Sequence, residues 1–205
     1  MSQDETIVYV VDDDHGVRDS LSLLLRSVGI KSAAYESAKA FLDAYEDDRV
    51  ACLVADIRMP GMSGLDLQRE LKERDIGLPI IFITGHGDVP MAVNAMKSGA
   101  MDFLQKPFRD QDLLDRINKA LKLARDHQAT QMEEDEIRRR LDSLTPRESE
   151  VMSMVVKGCA NKVIAMDLGV SQRTVELHRA RVMHKMGVRS LAELVRLAER
   201  VRTAD

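Results

Sequence analysis

The sequence predicts an α/β domain, a doubly wound parallel five-stranded sheet, followed by a small all-α domain. Three observations carry this. Five short, largely apolar runs alternate with helical patterns through the first 124 of 205 residues. From Phe108 to Thr145 neither Gly nor Pro interrupts the chain. Beyond that point only short, well-capped helical segments remain.

The runs are Thr6–Val11, Lys31–Ala34, Cys52–Ala55, Pro79–Ile83 and Asp102–Leu104. Continuous apolar runs fit strands buried on both faces, as in a parallel sheet. Ser63 stands where it would cap the helix carrying Leu65, Leu67 and Leu71, and Asp88 where it would cap the helix carrying Met91, Val93 and Met96. Five such βα units wind into a sheet with helices on both sides. An apolar stripe of Leu113, Leu114, Ile117, Leu121 and Ala124 fades into polar Arg125–Glu136, and helical spacing resumes at Ile137, Leu141 and Leu144. Residues 125–143 are therefore expected to be a mostly helical linker. In 144–205, Thr145–Glu148 and Ser190–Glu193 read as capping boxes, the first with Pro146 at the first helical position. Asn161 and Ser171 occupy N-cap positions, and Gly158, Gly169 and Gly187 fall where helices stop. Four short helices result, ending near Arg200.

Composition removes several classes. Hydrophobic residues make up 44% and charged residues 31%, an ordinary globular mixture. Cys52 and Cys159 form neither a disulfide framework nor a zinc motif. No apolar run approaches the roughly 18 residues of a membrane helix, and Met1–Glu5 has no secretory character, so a cytoplasmic protein is expected. The net charge of −4 is unevenly placed. Residues 1–124 hold 15 basic against 21 acidic groups, whereas 157–189 hold 7 against 2. An acidic half and a locally basic half point to two tasks, one compatible with nucleic acid. No aromatic residue follows Phe108, so the basic half has no rings on which unpaired bases could stack.

In an open α/β sheet, ligands bind at the carboxyl ends of the strands. Asp12 and Asp13 follow the first run, Asp56 the third, Thr84 the fourth and Lys106 the fifth. Three carboxylates on one edge repel unless a divalent cation or Lys106 offsets them. Oxygen ligands without His or Cys favour Mg²⁺. Asp14 reads as a solvated helix start.

The motifs VVDDD (Val10–Asp14), D-x-x-M-P-G-M-S-G (Asp56–Gly64), ITG (Ile83–Gly85) and Lys106-Pro107 resemble those of the receiver domain of two-component response regulators. The resemblance covers 1–124 and implies a phosphoacceptor domain. In it Asp56 would accept a phosphoryl group, and Asp12, Asp13, Asp56 and the Arg58 backbone carbonyl would hold Mg²⁺. Thr84 and Lys106 would bind phosphoryl oxygens, and Phe103 would be the switch aromatic. It also implies a cis Lys106–Pro107 bond, accessible because X–Pro bonds have a small cis penalty. Haloacid-dehalogenase-type phosphatases also use aspartyl phosphate, but they need a second Asp two residues after the nucleophile, where this chain has Arg58. A signalling role is expected rather than an enzyme, with at most slow hydrolysis of its own aspartyl phosphate.

LTPRE (Leu144–Glu148), NKVIAMDLGVSQRTVELHRARVMHKM (Asn161–Met186) and SLAEL (Ser190–Leu194) resemble the LuxR-type helix-turn-helix of the NarL/FixJ class. GHGDVPMAV (Gly85–Val93) and DFLQKPF (Asp102–Phe108) are similar to the FixJ members of that class. The resemblance implies a phosphorylation-activated transcriptional activator binding double-stranded promoter DNA and RNA polymerase, a homodimer when phosphorylated. It also implies a sensor histidine kinase, FixL, as donor, and nitrogen-fixation genes as targets. From the residues alone, Val175, His178, Val182 and Met186 share one helical face that should pack on Val163, Ile164 and Leu168. Thr174, Glu176, Leu177, Ala180, Arg181 and His184 then face outward, with Glu176 able to accept from cytosine and Leu177 to touch a thymine methyl. Lys162, Arg173, Arg179 and Lys185 are the expected phosphate anchors.

Overall fold

The computed structural model describes residues 6–46, 49–85 and 89–202. The chain divides into two compact units, Met1–Gln128 and Ala129–Asp205. The first holds strands β1 (Ile7–Val11), β2 (Lys31–Tyr35), β3 (Ala51–Asp56), β4 (Ile80–Thr84) and β5 (Asp102–Gln105). Between them run helices α1 (His15–Ser27), α2 (Ala38–Ala44), α3 (Gly64–Glu73) and α4 (Val89–Lys97). All strand pairs are parallel, in the order β2-β1-β3-β4-β5. This is the predicted doubly wound sheet, each strand within a residue or two of its apolar run.

Alternation along the strands feeds two cores. Val8, Val10, Ile81 and Ile83 pack with Leu21 and Leu25 of α1 and with Leu113 and Ile117. Tyr9, Val11, Leu53 and Phe82 point the other way, against Phe41 of α2 and Leu67 and Leu71 of α3. Burial on both faces is what made the runs continuous in sequence.

Helix α5 (Asp110–Asp142) runs unbroken for 33 residues. Leu113, Ile117 and Leu121 bury in the sheet core, and Ile137 in the core of the second unit. The polar stretch between them is helical throughout. Then follow α6 (Pro146–Val156), α7 (Asn161–Leu168), α8 (Gln172–Met186) and α9 (Leu191–Arg202), an all-α unit as predicted. Their shared core is Val151, Met152, Val155, Ile164, Val175, Val182, Met186 and Leu194 with Ile137.

Most predicted caps form. Ser63 and Thr145 make complete capping boxes with Asp66 and Glu148, and Ser171 accepts from the Thr174 amide. Asp14 caps α1, accepting from the amides of Gly16 and Val17. Gly169 and Gly187 end their helices in the left-handed region, at φ of 64° and 65°. Three expectations need correction. Asn161 is the first residue of α7, after Ala160, and its side chain accepts from Arg179 at 2.6 Å and caps nothing. At α9 the Glu193 amide bonds the Ser190 hydroxyl, but the Glu193 carboxylate reaches one residue further back, to the Arg189 amide at 2.8 Å. Val163 is 52% exposed while Ile164 is buried, because successive helical residues lie about 100° apart and only one can face inward. The Asp88 cap lies outside the described residues.

One half-buried ion pair ties the first turn of α6 to the last turn of α8. Glu148, 3% exposed, accepts from Lys185 Nζ at 2.7 Å and from the Thr145 amide at 2.9 Å. The Lys185 ammonium first, and then the Thr145 amide, hold the Glu148 carboxyl down at about 2. A carboxyl lowered in the folded state stabilises fully above its unfolded value near 4.5, and that contribution disappears as pH falls toward 2. Urea unfolding followed by far-ultraviolet circular dichroism should therefore show wild type exceeding Glu148→Gln at pH 5.5, with the gap closing toward pH 2.5. A gap independent of pH would contradict this role.

Candidate functional site

Strand register assembles the acidic edge. Val11 of β1 pairs with Ala55 of β3, so the next residues, Asp12 and Asp56, emerge side by side. Thr84 of β4 pairs with Gln105 of β5, which brings Lys106 to the same edge. Asp12, Asp13 and Asp56 each offer a carboxylate oxygen, all within 4.8 Å of one another. Lys106 Nζ donates to Asp12 at 2.6 Å and to Asp56 at 3.0 Å.

The groups are unequally exposed. Asp12 is fully buried, Asp56 is 9% exposed, and Asp13 faces solvent. Burial pushes the Asp12 carboxyl above its ordinary value, against the pull of Lys106 and of the Asp14 amide that donates to it at 2.9 Å. Burial likewise pulls the Lys106 ammonium down, but its bonds to Asp12 and Asp56 outweigh that and leave it above its usual value. Lys106 is a firmly protonated counter-ion. One ammonium facing three carboxylates leaves a net negative cradle of hard oxygen donors, which suits a divalent cation such as Mg²⁺.

The backbone around Asp56 is fixed. The Arg58 amide donates to Asp56 Oδ1 at 3.1 Å, and the Gly64 amide to the Ile57 carbonyl at 2.9 Å. A Cβ on Gly64 would sit 2.3 Å from the Asp56 carbonyl oxygen, so this close approach requires glycine. The Arg58 side chain is exposed. Thr84 is 1% exposed at the end of β4, and Phe103 is half-buried against the α2–α4 face. Lys106–Pro107 is cis. One contributor carried no sequence signal: Arg18, from the second turn of α1, donates to the Asp12 carbonyl at 2.7 Å. No motif marks it, and only the turn from β1 into α1 brings it there.

In the second unit α8 presents the predicted surface. Arg173, Glu176, Leu177, Ala180, Arg181 and His184 are exposed along it, with Lys162 exposed on α7. Thr174 is half-buried, its hydroxyl 2.8 Å from that of Ser171. Val175, Val182 and Met186 turn inward, and His178 is half-buried with Nδ1 shut away from solvent and from any partner among the described residues. Two expected anchors have work inside the unit. Arg179 donates to Asn161, and Lys185 to Glu148 and the Ser143 carbonyl. Sequence spacing carries no trace of such pairs, which lie 18 to 42 residues apart.

Comparison with known proteins agrees with both units. Residues 8–118 match the response regulator receiver domain family, and 142–198 the luxR family of bacterial regulatory proteins. The transcriptional regulatory protein FixJ of Rhizobium meliloti is 49% identical, with 93% of this chain and 94% of that protein aligned. The response regulator protein TmoT of Ectopseudomonas mendocina is 46% identical, with 98% and 92% aligned. The solved structure of the response regulator StyR superposes with a TM-score of 0.88 at 46% identity, covering 95% of this chain and 98% of that one. Among the described residues no helix is long and apolar enough to cross a membrane.

Proposed function

The chain belongs to the two-component response regulators with a receiver and a LuxR-type DNA-binding domain, and from that premise we propose that Asp56 is its phosphoryl acceptor. It is a transcriptional regulator; its relatives are regulators of transcription and not enzymes. The observation that carries the proposal is the cluster of Asp12, Asp13 and Asp56 bridged by Lys106. A receiver of 1–124, a helical linker of 125–143 and a DNA-binding domain of 144–205 is the domain reading that goes with it.

The chemistry follows from charge. An Asp56 carboxylate oxygen bonds to phosphorus as the P–N bond of a kinase phosphohistidine breaks, leaving an acyl phosphate on Asp56, while the released imidazole keeps the bonding pair and becomes neutral histidine with a proton taken up from solvent. Nucleophile and phosphoryl group are both anionic, so the site must offset their repulsion. Mg²⁺ held by Asp12, Asp13, Asp56 and the Arg58 carbonyl would neutralise charge on the phosphoryl oxygens. Lys106 then exchanges part of its bonding to Asp12 and Asp56 for a phosphoryl oxygen. The Thr84 hydroxyl bonds another, drawing in its loop and giving Phe103 room to turn inward. A local electrostatic event thereby acquires a packing readout.

The proposed consequence is dimerisation through α4 and β5, where Val93 and Met96 are each 45% exposed. The dimer would place two copies of α8 in major grooves about one helical turn apart, where it would recruit RNA polymerase and activate transcription. Glu176, Leu177, Ala180 and Arg181 are the proposed base readers, flanked by Thr174 and His184. Lys162 and Arg173 are the anchors, with Arg179 and Lys185 contributing charge from their internal bonds. A FixL-type kinase as donor and nitrogen-fixation genes as targets rest on likeness to FixJ alone.

Acetyl phosphate with Mg²⁺ should add one acid-stable, base-labile phosphate per chain and convert the protein from monomer to dimer in sedimentation at micromolar concentration. Asp56→Asn should show neither change. Wild-type labelling in Asp56→Asn would move the acceptor elsewhere, and phosphorylation without a change in sedimentation would remove the dimer. For DNA, binding-site selection with Glu176→Ala and Arg181→Ala should relax preference at single positions, about 1–3 kcal/mol each. An unchanged motif from both would displace the reading face.

A further inference from the structure

The C-terminal end of α8 is held from outside the helix-turn-helix, by the last turn of α5. Arg140 Nη1 donates to the Met186 carbonyl at 3.1 Å, one of the carbonyls that a helix end leaves without an internal partner. Its Nε donates at 3.0 Å to Glu136, one turn earlier on α5, which fixes the plane of the guanidinium. In the opposite direction, Lys185 of α8 donates to the Ser143 carbonyl, just beyond α5, at 2.8 Å. Two bonds running in opposite senses close a clamp between the two helix ends.

Gly187 makes room for it. Its φ of 65° ends α8, and a Cβ there would lie 2.8 Å from Arg140 Nη1. Glycine thus serves the turn and the passage of the guanidinium together. A cation at a helix C-terminus is also favoured by the helix dipole. Arg140 lies on α5 and bonds the last residue of α8, whereas Glu176, Leu177 and Arg181 fall within the first ten residues of that helix, so it acts on them through the helix.

We infer that Arg140 is a positioning residue for DNA recognition, setting the tilt and rotation at which α8 presents its reading side chains. This rests on the reading of α8 as the DNA-recognition helix. Base-edge hydrogen bonds depend on such placement, whereas loose phosphate contacts tolerate its loss. Removal of Arg140 should therefore cost affinity selectively for the preferred sequence.

The test uses the full chain with Mg²⁺ and acetyl phosphate in every arm. The probes are a duplex selected from a random pool by the wild-type chain and a scrambled duplex of equal length. Arg140→Met keeps the aliphatic stem but donates nothing, and Arg140→Lys restores one donor. Arg140→Met should bind the selected duplex about three- to tenfold more weakly, the net worth of roughly one ordinary hydrogen bond. Binding to the scrambled duplex and the salt slope should be unchanged, and Arg140→Lys should recover most of the loss. Unchanged affinity of Arg140→Met for the selected duplex would overturn the inference. So would parallel losses on both duplexes, or failure of Arg140→Met to fold, since either would make Arg140 a residue of stability only. A salt slope reduced by about one would make it a phosphate contact instead. If wild type selects no preferred duplex, the recognition reading itself falls and takes the inference with it.

Discussion

Three carboxylates compressed to within 4.8 Å at the edge of a parallel sheet, with one ammonium between two of them, set the terms for the α/β unit. Such a cluster exists only because the strands end in register, which places Asp12 beside Asp56 and carries Lys106 in from β5. The sheet is rigid because both its faces are buried, so the repulsion cannot be relieved by spreading the strands. Relief must come from counter-charge. Lys106 supplies part of it, and the remaining negative potential is what a cation, and then a phosphoryl group carried with it, would use.

The same logic of fixed elements and a few committed charges governs the second unit in a different form. Its core is modest, ten buried side chains with partly buried neighbours. Polar bonds supplement it: Glu148 with Lys185, Arg179 with Asn161, Arg140 with Met186. Each touches α8, so the helix that carries the exposed basic surface is also the one most tightly specified. Charges committed to holding α8 are only partly available to a phosphate backbone. This separates Arg179 and Lys185 from Lys162 and Arg173, though composition alone counts all four together.

Much of this was legible in the sequence, and the parts that were not share a cause. Strands buried on both faces leave continuous apolar runs, and caps such as Ser63 and Thr145 are local signals read within four residues. The acidic edge was legible because fold geometry sends every strand end to one side, so Asp12, Asp56, Thr84 and Lys106 could be grouped without coordinates. Long-range polar bonds were not. Arg18 reaching the Asp12 carbonyl, Lys185 reaching Glu148, and Asn161 serving Arg179 have no periodicity to betray them. Val163 faces solvent for a different reason, since a short helix of mixed polarity leaves the direction of its buried face open by one residue.

The account turns on the acidic cluster being short of positive charge, and cation binding measures that directly. Calorimetric titration of Mg²⁺ into the full chain at neutral pH should show one saturable site. Asp13→Asn, which removes an exposed carboxylate and spares the buried pair with Lys106, should weaken it at least about tenfold. Absence of saturable binding in wild type, or equal affinity in the two chains, would contradict the central claim.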